Sequence, residues 1–306
     1  MKLFKKLVLA STIGTYLVIF VGGLVRVSGA GLGCPDWPRC FGRWFPPTSI
    51  DQIPDYIDAS QFNLTLAWIE YINRLGGFLL GLLIAATAVV ALIYHRKNKK
   101  ILVPSVVSAF LVALLGAQGA VVISSELEPI VVTVHLLLAL AMASLLIYTT
   151  YQAFSFDKER LSIEIPKNVK MVAHIFMTVT LLQILLGTHI RSKLEMLSRE
   201  FPLLTDLKWL GRVGMVNHIH MLIGVSLGVF TLYFVNELKH IGATKIPGVK
   251  YGIWGLQLFI LVQIFIGFTF TLFALPELGR VFHMFFASLF FGALVLTYSS
   301  LKSNGR

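Results

Sequence analysis

Apolar residues run almost unbroken over 7–27, 66–94, 101–123, 130–154, 169–190, 214–236, 250–273 and 281–300, and polar residues crowd the stretches between. A helix takes about 20 apolar residues to cross roughly 30 Å of hydrocarbon, and in lipid only a helix or a closed barrel satisfies its own backbone. The pattern therefore predicts an all-α polytopic membrane protein with eight transmembrane helices. The first run follows Lys2, Lys5 and Lys6, as the apolar centre of a secretory signal would. It is longer than such a centre, and Gly22, Gly23 and Arg26 form no small-x-small cleavage site, so it is read as the first helix.

Composition agrees: of 306 residues 56% are hydrophobic and only 13% charged, where a soluble domain carries about 25% charged. The net charge of +11 gathers in alternate connections. These hold Lys2, Lys5 and Lys6; Arg96, Lys97, Lys99 and Lys100; Lys158, Arg160, Lys167 and Lys170; Lys239, Lys245 and Lys250; and Lys302 with Arg306. By the positive-inside rule these connections and both termini are cytoplasmic, so the long segments 28–65 and 191–213 face outward. The same rule accounts for the basic balance without nucleic acid. No Lys/Arg stripe, zinc-finger spacing or phosphate-cradling glycine loop points to that partner either.

The only two cysteines, Cys34 and Cys40, lie in the outward segment Gly33-Cys34-Pro35-Asp36-Trp37-Pro38-Arg39-Cys40. An oxidising side makes a disulfide the default. Closing so short a loop stabilises by roughly 2 kcal/mol, so a structural staple and a redox-active pair stand level. With no second Cys/His pair nearby, zinc is not expected.

The chain repeats itself. Asn73–Gly81 lies over His220–Gly228 with Leu75/Leu222, Gly77/Gly224, Leu80/Leu227 and Gly81/Gly228 identical, and His135 lies over His283. Gly22 with Arg26 matches Gly187 with Arg191, and Gly116 matches Gly267. This predicts two pseudo-symmetric four-helix bundles, 1–156 and 157–306, related by an axis along the membrane normal.

Depth sorts the histidines. His95 and His240 fall in cytoplasmic connections and His174 near the cytoplasmic start of the fifth helix, whereas His135, His220 and His283 each come a few residues into a helix entering from outside. Polar groups at that depth are costly and mark function. Neutral imidazole suits iron, and helix bundles hold cofactors between facing helices, so His220 and His283 are predicted to ligate a haem. His218, two residues from His220 and nearly on the opposite face, is the substitute if the register slips.

The first half has Asn73 where the second has His220, which leaves His135 without a matching ligand. Two readings stand: an open iron position suited to dioxygen, or a half that has lost its haem. Glu70 lies three residues before Asn73, where the second half has Asn217. It is read as a catalytic acid or proton conduit, against a structural pair with Arg74. Arg26 and Arg191 are read as partners for haem propionates or as interfacial anchors.

Taken together, the Gly-x-x-x-Arg end of the first helix, the Cys34–Cys40 segment, Glu70-Tyr71-Ile72-Asn73-Arg74, His135, His220 and His283 resemble the haem A synthase (CtaA/Cox15) family over nearly the whole chain. The resemblance implies oxidation of a haem O methyl to a formyl group by successive dioxygen-dependent hydroxylations, giving haem A for cytochrome oxidase. It implies a haem b on His220 and His283, the substrate haem at His135, Glu70 as the functional glutamate and Cys34–Cys40 as the outward pair. The family's Glu-x-x-His-Arg motif has Asn73 in place of its histidine here. Expected partners are haem O, dioxygen, an electron donor the sequence does not name, a haem O synthase and membrane lipid, with homo-oligomerisation left open. The expected location is the plasma membrane of a prokaryote. A diheme b-type electron-transfer cytochrome and a repeat-built transporter are the competing classes; a transporter should break its helices at mid-membrane, while here the polar residues sit toward the outer end.

Overall fold

The computed structural model describes residues 1–155, 163–203, 206–273 and 276–304. Lys158, Arg160, Arg306 and the expected division at 156/157 lie outside the described residues. Eight long helices follow the apolar runs: α1 (Lys2–Val27), α2 (Leu64–Tyr94), α3 (Lys99–Ser124), α4 (Pro129–Ser155), α5 (Lys167–Glu200), α7 (Met215–His240), α8 (Pro247–Leu272) and α9 (Glu277–Asn304). A short α6 (Asp206–Val213) precedes α7. Among the described residues these eight are long and apolar enough to cross a membrane.

The chain folds as two compact units, Met1–Ala153 and Phe154–Arg306. In the first, Leu80 and Ile84 of α2, Leu115 of α3 and Met142 and Leu146 of α4 make one core, with Val18 of α1 against it. Hydroxyls tie α1 to two neighbours: Ser11 meets Thr87 at 3.0 Å and Thr12 meets Thr150 at 2.9 Å. In the second, Phe176, Leu227, Phe234, Leu256, Ile260, Phe290 and Leu294 bring α5, α7, α8 and α9 together. α8 and α9 approach closely, because Gly252 faces Thr297 and Gly255 faces Ala293. Small residues serve this purpose in membranes, where lipid tails compete with apolar packing and close backbone approach must supply the attraction. Phe78, Leu82, Phe110, Val229 and Phe265 stay more than half exposed, as side chains solvated by lipid do.

Helix ends follow local chemistry. Asn63 accepts from Leu66 N–H to cap α2 at 3.1 Å, and Glu128 Oε2 accepts from Ile130 and Val131 N–H ahead of α4, which opens on Pro129. The segment 191–213, expected to face outward, carries helix of its own, residues 191–200 at the end of α5 and Asp206–Val213 as α6. Residues 191–200 continue α5, because Arg-Ser-Lys-Leu-Glu-Met-Leu-Ser-Arg-Glu holds no breaker before Pro202 and Arg199 pairs with Glu195 at 3.2 Å one turn away.

Candidate active site

In the first unit the loop after α1 folds onto the start of α2. A Cβ on Gly33 would stand 2.9 Å from the backbone nitrogen of Ala67, so only glycine allows the loop so close. The Cys34–Cys40 disulfide is formed, and both cysteines are buried with Phe41, Ile53 and Ala67. Glu70 and Arg74 hold this loop from α2. Cys34 N–H donates to Glu70 Oε2 at 2.7 Å. Arg74 donates to the carbonyls of Asp36 at 2.6 Å, Arg39 at 2.7 Å and Cys34 at 3.0 Å, and through Nε to Glu70 Oε1 at 3.0 Å. Glu70 is 3% exposed, with an N–H on one oxygen and the guanidinium on the other. Asp36 continues the network, accepting from Phe41 and Gly42 N–H at 2.6 and 2.9 Å. Farther out on the loop, the Ser60 N–H and hydroxyl hold the exposed Asp58 carboxyl below the ordinary carboxylate range.

One turn along α2, Asn73 faces Gly22 of α1: a Cβ there would lie 3.9 Å from Asn73 Oδ1, which is buried without a partner. His135 meets Gln118 of α3, whose Oε1 lies 2.7 Å from its Nδ1 and whose Nε2 donates to Val131 O at 2.9 Å. Arg26 ends α1 in its last turn.

In the second unit, His220 of α7 and His283 of α9 come together with ring centroids 6.4 Å apart and planes at 61°. Each ring lies against a glycine. A Cβ on Gly187 would stand 3.2 Å from His220 Cε1, and one on Gly267 3.4 Å from His283 Cε1. Each histidine carbonyl accepts from a glutamine one helix away: Gln183 Nε2 to His220 O at 2.8 Å, and Gln263 Nε2 to His283 O. Both histidine Nδ1 atoms and both glutamine Oε1 atoms are buried without partners. Phe270 lies edge-on to His283, at 5.4 Å between centroids. Arg191 follows Gly187 by one turn, while His218 is exposed.

The donor set admits a macrocycle better than a bare ion. A metal–imidazole bond is about 2 Å, so two rings on opposite sides of one iron put their centroids about 6 to 6.5 Å apart. The observed 6.4 Å fits that spacing. Two imidazoles are too few for a bare cation, and among the described residues no cluster of three His, Cys, Asp or Glu supplies more. A haem, whose porphyrin already holds its iron, would need only the two imidazoles that His220 and His283 offer, and would supply one-electron chemistry there.

A family model described as COX15-CtaA, cytochrome oxidase assembly protein, matches residues 5–295. The chain belongs to this family. Among curated proteins, the heme A synthase of Rickettsia conorii is 25% identical over 347 residues, 99% of each chain, and that of Rickettsia prowazekii 23% over 333 residues, 96% of each. The heme A synthase of Shewanella oneidensis is 35% identical over a shorter stretch of 140 residues, 44% of this chain and 40% of that protein. With eight apolar spans, this COX15-CtaA member is a multi-pass membrane protein.

Sequence reasoning passed over the glutamines. Gln183-Ile-Leu-Leu-Gly187 and Gln263-Ile-Phe-Ile-Gly267 put a glutamine four residues, hence about one turn, before a ring-facing glycine. That shared Gln-Ile-x-x-Gly was the available signal. The first unit lacks this signal, having Val18 and Val112 four residues before Gly22 and Gly116, and its own Gln118, two residues after Gly116, lies over Thr269.

Proposed function

We propose that the chain is a haem A synthase that oxidises a methyl group of haem O to the formyl group of haem A with dioxygen. In this reading the second unit holds a resident haem b on His220 and His283, and the first takes haem O at His135. The observation that carries it is the half-buried His220–His283 pair, ring centroids 6.4 Å apart and faced by Gly187 and Gly267. The family and its full-length relatives named heme A synthase support the activity. Both termini are cytoplasmic in this reading, so the Cys34–Cys40 loop lies on the outer side.

A bound haem supplies one-electron transfer at a potential its ligands tune. The chain's own groups do the rest. Gln183 and Gln263 brace the histidine carbonyls, so the two rings meet at a fixed separation. In the first unit Asn73 keeps a neutral carboxamide where an imidazole would otherwise bind, leaving that side of the substrate iron without a strong protein ligand. Glu70 and Arg74 pin the disulfide loop. Arg26 and Arg191, each one turn past a facing glycine, are suited to the carboxylates of the two haems.

The test is expression with haem O supplied, followed by extraction and mass identification of the non-covalent haem. Haem A or a hydroxylated haem O beside haem b is expected. Haem b with haem O untouched, under oxygen and reductant, would overturn the synthase reading in favour of an electron-transfer cytochrome.

A further inference from the structure

A neutral imidazole offers one lone pair, and which nitrogen carries it is set by what the other nitrogen bonds. For His135 the bonding is settled by a third group. Gln118 Nε2 donates to Val131 O at 2.9 Å. Were the carboxamide turned over, its oxygen would face that carbonyl oxygen, two acceptors with no proton between them. Oε1 therefore faces the ring and accepts at 2.7 Å, Nδ1 carries the proton, and the lone pair is at Nε2. Val131 lies one turn before His135 on α4, so a single amide grips both the helix and the ring it carries. The second unit uses its glutamines differently: Gln183 and Gln263 each donate to a histidine carbonyl, and neither histidine Nδ1 has a partner.

We propose that Gln118 is the positioning residue of the substrate site: it holds His135 in the tautomer that binds the haem O iron through Nε2 and sets the ring's angle and donor strength. This rests on the reading of His135 as the substrate ligand. Partners of this kind are worth roughly 10- to 100-fold in metal affinity or activity, because they fix the ring and raise its basicity. A neutral amide acceptor gives a moderate donor. A carboxylate in its place would draw the Nδ1 proton harder, make the ring more basic and favour ferric over ferrous iron.

The experiment uses the full chain, purified with its C-terminal haem but without haem O. Haem O is titrated in under anaerobic, non-turnover conditions into the parent, Gln118→Leu, Gln118→Glu, His135→Ala and the double variant His135→Ala/Gln118→Leu. The spectrum of the C-terminal haem reports that each variant is folded. Gln118→Leu is expected to raise the haem O dissociation constant roughly 10- to 100-fold. His135→Ala should raise it at least as much, and the double variant no further, because Gln118 acts through the ring. Gln118→Glu should lower the midpoint potential of the bound haem O, about 59 mV for each tenfold gain in ferric preference. Additive losses in the double variant, or binding and potential unchanged in both Gln118 variants, would overturn the positioning role while leaving His135 as ligand. Unchanged binding in His135→Ala would overturn the ligand reading itself, and the proposal with it.

Discussion

Replacing Arg74 by alanine tests how the disulfide loop is held. The substitution removes donors to the carbonyls of Cys34, Asp36 and Arg39 and leaves Glu70, 3% exposed, with the Cys34 N–H but no counter-charge. Breaking one side of a buried ion pair costs about 3–5 kcal/mol, most of it the uncompensated charge. At about 1.4 kcal/mol per tenfold, the population of loop-open chains should rise by roughly two to three and a half powers of ten. Cys34 and Cys40 are 0% and 1% exposed, so a reductant reaches the disulfide only through that opening. The assay is the rate of thiol release with a small phosphine in detergent, beside hydrogen exchange at the Cys34 amide. Arg74→Ala should speed both by a similar factor. Glu70→Gln/Arg74→Ala should be less labile than Arg74→Ala alone, since it leaves no buried charge. A reduction rate for Arg74→Ala within threefold of the parent, or a double variant as labile as the single, would refute the clamp. The result also bears on the two readings of the cysteine pair, because a bridge reducible only when its clamp opens is guarded rather than freely exchanging.

Asn73→His places an imidazole at the position matching His220, and Gly22 leaves it room. Haem O bound to this variant should turn six-coordinate and low-spin and its conversion should fall; an unchanged optical spectrum would count against an open side. Gly187→Ala sets a methyl 3.2 Å from His220 Cε1, and Gly267→Ala sets one 3.4 Å from His283 Cε1. Overpacking costs about 1–3 kcal/mol, so Gly187→Ala should lose haem b by roughly five- to 150-fold in retention and Gly267→Ala less, measured as haem per protein after dilution. The reverse order would show that ring clearance is not what the glycines provide. Gly252→Ala drives a methyl into Thr297 and should lower thermal stability in detergent, with Thr297→Ala partly restoring it in the double variant. Additive losses would mean that α8 and α9 do not meet through this pair.

Helix placement was readable because lipid imposes a length and a polarity on each span, and the apolar runs match the ends of most helices to within a few residues. The exception is instructive. Hydropathy reports where lipid is, not where helix stops, so the apolar run ends at residue 190 while α5 continues to Glu200, with nothing in 191–200 to break it. The site divided along a similar line. The repeat could be read because identical residues recur in one order; within the units, Asn73 faces Gly22 and His220 faces Gly187.

What lay beyond the sequence were contacts whose partners come from unrelated stretches. An i, i+4 pairing of Glu70 with Arg74 is visible in the chain, but its purpose is not, because the carbonyls of Cys34, Asp36 and Arg39 come from a loop some forty residues earlier. Gln118 is hidden for the same reason, as nothing in a run of apolar residues marks which amide will meet His135. These hidden contacts are also where the two units differ. Both put a glycine of their first helix against the matched position of their second, and both keep a histidine on their fourth. The first unit adds a clamped disulfide loop and an amide-held single histidine, and the second adds paired glutamines behind paired histidines. Two units carrying different polar sets are suited to two different tasks, and that agrees with an enzyme rather than a symmetric electron relay.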